Sequence, residues 1–163
     1  MKKTILFLAI IILFACNHSS DKIQQLQNQV DSLQQKLNHS YKPGLGEFMS
    51  SIQVHHAKLW FAGQNKNWKL ADFEVHEIME SLDDIKQYET ERKESKMIPM
   101  LDPAIDSINK AISEKNTGSF NKAFINLTNT CNNCHRANNF EFNVVKIPES
   151  VPFLNQDFSA GKK

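Results

Sequence analysis

Two of the chain's three cysteines stand three residues apart with a histidine directly after the second, in the run Cys131-Asn132-Asn133-Cys134-His135. On a helix, positions i, i+3 and i+4 share a face, so both thiols and the imidazole project within one turn. With that spacing the two thiols can add across the two vinyl groups of a haem to form thioethers, while the adjacent imidazole takes the iron from the proximal side. Rival chemistries account for less of the pattern. A dithiol redox pair would begin a helix after a strand, and no strand pattern precedes this run. A zinc site would need a second ligand cluster, and the remaining cysteine is the distant Cys16. A disulfide across two intervening residues in mid-helix would be strained. One covalent haem c is therefore expected, with Cys131 and Cys134 as attachment points and His135 as the proximal iron ligand; a structural disulfide or a bound metal is the alternative.

Such a site has to be carried by a helix, and SFNKAFINLTNTCNNCHRA supplies one, with Phe120, Ala123, Phe124, Leu127 and Cys131 on a single stripe. Three further amphipathic segments precede it. Between residues 45 and 62, Phe48, Ile52, His55, Leu59 and Ala62 fall on one face, and Gly63 is placed to stop the helix. In NWKLADFEVHEIMESLDDIKQY, Ala71, Val75, Ile78, Leu82 and Ile85 recur every three or four residues, with acidic residues outside. LDPAIDSINKAISEKN offers Asp102 as a cap, Pro103 in the first turn, and Ile105, Ile108 and Ile112 facing inward. Four such helices with short connections predict an all-α, antiparallel four-helix bundle over residues 43–142. The tail, 143–163, has Pro148 and Pro152 and no helical period, so it is expected to lie extended over the bundle.

The N-terminal half of the pattern concerns location. Lys2 and Lys3 precede an unbroken apolar run from residue 5 to 15, too short to span a bilayer and suited to the core of a secretory signal. The run ends LFAC, which resembles the lipobox of bacterial lipoproteins; that resemblance implies a signal over residues 1–15 and lipidation of Cys16. The expected location is the cell envelope, lipid-anchored on the periplasmic face of a membrane. In the segment 16–42, Ile23, Leu26, Val30, Leu33 and Leu37 are spaced 3, 4, 3 and 4 apart, the a/d seam of a coiled coil in a glutamine-rich context. It predicts a short stalk with weak homo-oligomeric pairing through residues 22–38. Formal net charge is +1, falling to −1 once Lys2 and Lys3 are removed, which gives no electrostatic case for nucleic acid.

The stretch 43–142 resembles the class II c-type cytochromes, the cytochrome c prime family. The likeness rests on FNKAFINLTNTCNNCH, an aromatic and small-residue stripe running into the haem motif, and on GEFMSSIQ in the first helix, with a glycine and a second helix following. The family's basic residue that contacts a propionate is replaced by Leu45, and the aromatic residue three after the proximal histidine by Asn138. The resemblance implies that the open side of the iron is faced from the first helix, where Met49 holds the matching place as the candidate distal ligand. His56, seven residues after Met49 and on its face, competes for that role, as does His55. Arg136 is a candidate partner for a propionate.

These features predict a monohaem electron carrier working with redox partner proteins in the periplasm. No Ser-His-Asp set, phosphate-binding loop or framed carboxylate pair is visible, so turnover of a substrate is not expected. Two alternatives stand beside it. A five-coordinate haem protein would bind small gases such as nitric oxide, and a haem-free lipoprotein would serve assembly alone.

Overall fold

A computed structural model of the chain describes residues 20–37, 40 and 43–160. The signal segment 1–15 and the lipidation candidate Cys16 lie outside the described residues. Contacts divide the chain into two units, Met1–Lys42 and Pro43–Lys163. Among the described residues there is no strand, and no helix is long and apolar enough to cross a membrane.

In the first unit, helix α1 covers residues 20–37 and is exposed along its whole length. Side-chain hydrogen bonds one turn apart, Gln24 to Asn28 (3.2 Å) and Gln27 to Asp31 (3.0 Å), brace its polar face.

The second unit is all-helical. It comprises α2 (Leu45–Gln64), α3 (Trp68–Tyr88), a 3-10 segment (Glu94–Leu101), α4 (Asp102–Ser113) and α5 (Thr117–Ala137). Helix α2 packs on α3, α3 on α4 and α4 on α5, while α5 also touches α2 and the 3-10 segment. Leu59, Val75, Ile85, Ile108, Phe120 and Phe124 are fully buried at the centre.

Two connections use the same device. Lys66 (φ 58°) and Lys115 (φ 52°) take the left-handed conformation, and the following Asn67 and Asn116 send their N–H groups back to Ala62 and Ala111 carbonyls at 2.9 and 3.1 Å. That closes the last turn of α2 and of α4. The same asparagines then cap the next helix, their side-chain oxygens accepting from Leu70 and Ser119 N–H. One Lys-Asn pair thus both ends a helix and starts another, which keeps each connection short.

Three expectations need correction. Gly63 does not stop α2, which continues through Gln64; the left-handed residue is Lys66. Gly63 is instead a place of close approach, because a Cβ there would lie 2.1 Å from Cζ of the buried Phe120 ring on α5. Asp102 is not a cap: with φ −52° and ψ −46° it is already helical, since the 3-10 segment feeds directly into α4. That segment was hidden because its inward residues Ser95, Ile98 and Leu101 repeat every three positions, the 3-10 period and not the α one. On α2 the inward histidine is His56, not His55, because the buried stripe runs Ile52, His56, Leu59 and Gly63.

The tail after α5 is irregular and lies on the helices. Phe158 is buried against Phe61 (5.8 Å between ring centroids), Lys58 Nζ sits 5.1 Å over the Phe153 ring, and Asn67 donates to the Ser159 carbonyl at 3.0 Å.

Candidate cofactor cleft

The last two turns of α5 carry Cys131, Cys134 and His135 into a cleft whose other walls are α2, the 3-10 segment and residues 143–145 of the tail. Two adjoining hollows of about 240 and 260 Å³ share Gly46, Met49, Ile98, Cys134, His135 and Asn143, so they are lobes of one space. Jointly they fall within the ~300–1,000 Å³ of small-molecule and cofactor sites. Helix α2 contributes Gly46, Met49, Gln53 and His56 at intervals of three, four and three, one stripe facing α5. Met49 and His56 are therefore both brought to the cleft with the Cys-x-x-Cys-His triplet. Met49 lines both lobes, while His56 lines the first. His55 is directed elsewhere, to Glu74 on α3.

His135 is held at both ends of its residue. Its backbone carbonyl accepts from Phe140 N–H at 2.9 Å, closing α5 through Asn139 in the left-handed conformation (φ 64°). Its ring nitrogen Nδ1 lies 2.6 Å from the Asn143 carbonyl. A carbonyl only accepts, so Nδ1 carries the proton and the neutral ring keeps its lone pair on Nε2, the arrangement metal-binding histidines use. Between the two cysteines stands Asn132, whose side chain reaches the tail at Val145. It both donates to and accepts from the Val145 backbone, each at 2.8 Å, which pins the tail against α5 two residues beyond Asn143.

Both thiols are free, and both are held protonated. Burial, with Cys134 next to it, pushes the Cys131 thiol up to about 12 against a weaker lowering by a backbone hydrogen bond. Burial also raises Cys134, opposed by the Asn138 amide, whose Nδ2 lies 3.7 Å from Sγ and donates to the Cys134 carbonyl at 2.9 Å. The pair sits near the C-terminal end of its helix, where the dipole disfavours a thiolate. Reactive dithiols need the reverse, a lowered pKa at a helix N-terminus. Among the described residues no group of three or more His, Cys, Asp or Glu side chains is placed to hold a metal ion.

His56 is buried, its ring 4.5 Å from that of Phe124. The Thr128 hydroxyl donates to the Phe124 carbonyl at 2.9 Å and so accepts from His56 Nε2–H at 2.9 Å. Burial lowers its pKa from 6.5 to about 4, which fixes the neutral ring.

Arg92 and Glu94 line the second lobe, and Arg92 is paired with Glu89 at 2.9 Å. Arg136 bonds Asn133 on the outside of α5 and does not line the cleft. Asn132, Asn138, Asn143 and Arg92 were not legible as site residues. The available signal was the run of asparagines around the cysteines, a residue type that bonds backbone rather than continuing a helix.

The site fits a covalently held haem on three counts. Neutral thiols are available at i and i+3, an imidazole beside them has its Nε2 lone pair oriented by a carbonyl, and the facing wall presents Met49, Ile52 and Ile98. No protein family, curated protein or solved structure matches this chain.

Proposed function

We propose that the chain is a membrane-anchored monohaem c-type cytochrome that carries electrons in the periplasm, with residues 43–142 arranged as an antiparallel four-helix bundle of the cytochrome c prime kind. The observation that carries the reading is the His135 hydrogen bond to the Asn143 carbonyl, in a helix turn that also presents two protonated thiols to an apolar cleft. Sequential packing of α2 on α3, α3 on α4 and α4 on α5, through connections closed by Lys66-Asn67 and Lys115-Asn116, supports the bundle arrangement.

In this reading Cys131 and Cys134 would hold the macrocycle through thioethers, the S–H of each having added across one vinyl group, so that it would not be lost on oxidation or reduction. His135 would present Nε2 to the metal, with the Asn143 carbonyl keeping that ring from rotating. Haem, once bound, supplies reversible one-electron exchange between ferric and ferrous iron. Met49, Ile52 and Ile98 exclude water from the α2 side of the cleft. Cys16 would carry the lipid that holds the chain at a membrane surface.

Met49 lines both lobes and His56 only the first, which favours Met49 as the distal ligand. A five-coordinate, gas-binding protein is the second reading, and it follows if Met49 stays in the wall as packing. The test of the main reading is haem staining and intact mass of the denatured mature protein made in a host competent for cytochrome maturation. The expected mass gain is one haem, lost in Cys131→Ser/Cys134→Ser; a colourless chain with no added mass overturns it. The spectrum of the reduced protein then separates the two readings, because rapid carbon monoxide uptake by a high-spin haem removes Met49 as ligand.

A further inference from the structure

Helix α1 carries five apolar side chains that none of the described residues covers: Ile23, Leu26, Val30, Leu33 and Leu37 are 56–67% exposed. An isolated helix of this length is marginal in water, and an apolar seam on it is a face awaiting a partner. The residues along the seam state what that partner is.

We propose that α1 pairs with α1 of a second copy of this chain, as a parallel two-stranded coiled coil. Assigning the seam to heptad positions puts Ile23, Val30 and Leu37 at a and Leu26 and Leu33 at d. β-Branched residues at two of the three a positions, Ile23 and Val30, with leucine at both d positions favour two strands over three or four. Orientation follows from the flanks. The g positions are Lys22, Gln29 and Lys36, and the e positions are Gln27 and Gln34. With two copies parallel, g of one chain meets the next e of the other, so Lys22 faces Gln27 and Gln29 faces Gln34, with no like charges opposed. With two copies antiparallel and fully overlapped, g meets g, and Lys22 of each chain faces Lys36 of the other, a cationic repulsion made twice. The parallel pairing is thus selected by avoidance of a clash. A lipid surface is a poorer occupant, because residues 20–37 carry two lysines against two aspartates and no aromatic side chain, unlike helices that lie on anionic membranes.

The inference does not depend on haem, and its test is independent of haem. The chain from residue 16 with Cys16→Ser, Cys131→Ala and Cys134→Ala is examined by sedimentation equilibrium from micromolar to submillimolar concentration, and a reversible monomer–dimer equilibrium is expected. Val30→Asp should weaken it by at least about tenfold by placing a charge at a central a position, with helicity of residues 43–160 unchanged by circular dichroism. Ile23→Cys then becomes the sole cysteine and reports orientation. In the parallel pair the two copies of residue 23 meet and oxidise to a disulfide-linked dimer; in the antiparallel one they lie about ten residues apart, roughly 15 Å along the axis. A monomer at every concentration, a trimer, or dimers that fail to crosslink through Ile23→Cys would overturn the proposal, as would association that survives Val30→Asp. Binding to vesicles of anionic lipid by an otherwise monomeric chain would assign the seam to the membrane instead.

Discussion

Burial of His56 makes stability depend on pH. Its pKa falls from 6.5 to about 4 because the ring is enclosed between α2 and α5, against Phe124 and Thr128. Between those values the unfolded chain binds a proton that the folded chain excludes, so folding is favoured less as the medium becomes more acidic. The contribution is fully present above about pH 6.5 and is lost as pH falls toward 4. At about 1.4 kcal/mol per pH unit the whole effect is about 3 kcal/mol, of which about 2 kcal/mol is gone by pH 5. His56→Gln keeps an N–H for Thr128 and removes the titration. The assay is urea unfolding of the chain made without haem, followed by circular dichroism at pH 7.5 and pH 5.0, so that no iron competes for the imidazole. Wild type should lose about 2 kcal/mol more than His56→Gln between the two conditions. Equal losses in the two proteins would refute the claim that this ring is held neutral by burial.

Two substitutions test the helix connections. Gly63→Ala should destabilise by about 1–2 kcal/mol in urea, since overpacking against the buried Phe120 ring outweighs the propensity gain of about 1 kcal/mol, and Phe120→Leu should relieve most of that loss. A neutral or stabilising Gly63→Ala would show that α2 and α5 separate freely there. Lys115→Gly should raise stability by about 0.5–1 kcal/mol because the left-handed conformation at φ 52° disfavours a side chain with a Cβ; a loss of stability would mean that the lysine makes a compensating contact.

Periodicity made the helices legible, and motif spacing made the site so. Stripes such as Ala71, Val75, Ile78, Leu82 and Ile85 need only a count of threes and fours, and all five are buried. The Cys-x-x-Cys-His triplet needs only the helix beneath it. What stayed hidden has a common cause, which is that it depends on contacts between elements. A stripe of one helix cannot tell His55 from His56 when either lies within one position of the face. The choice is made by α3 and α5, where Glu74 receives one ring and Thr128 the other. Gly63 read as punctuation because its neighbour Phe120 lies 57 positions along the chain.

Glu74 shows what such a contact requires. It is fully buried, His55 Nδ1 is 2.7 Å from its Oε2, and Oε1 has no hydrogen-bond partner among the described residues. A carboxyl so placed depends on its single partner, because removing one member of a buried pair leaves the other uncompensated. His55→Ala should therefore destabilise by about 3 kcal/mol, and His55→Ala/Glu74→Leu, which removes both, should recover much of it. If the double variant is as unstable as the single one, the loss comes from packing rather than from the stranded carboxyl. That outcome would also remove the electrostatic reason why α2 turns His55 toward α3 and leaves His56 to line the cleft.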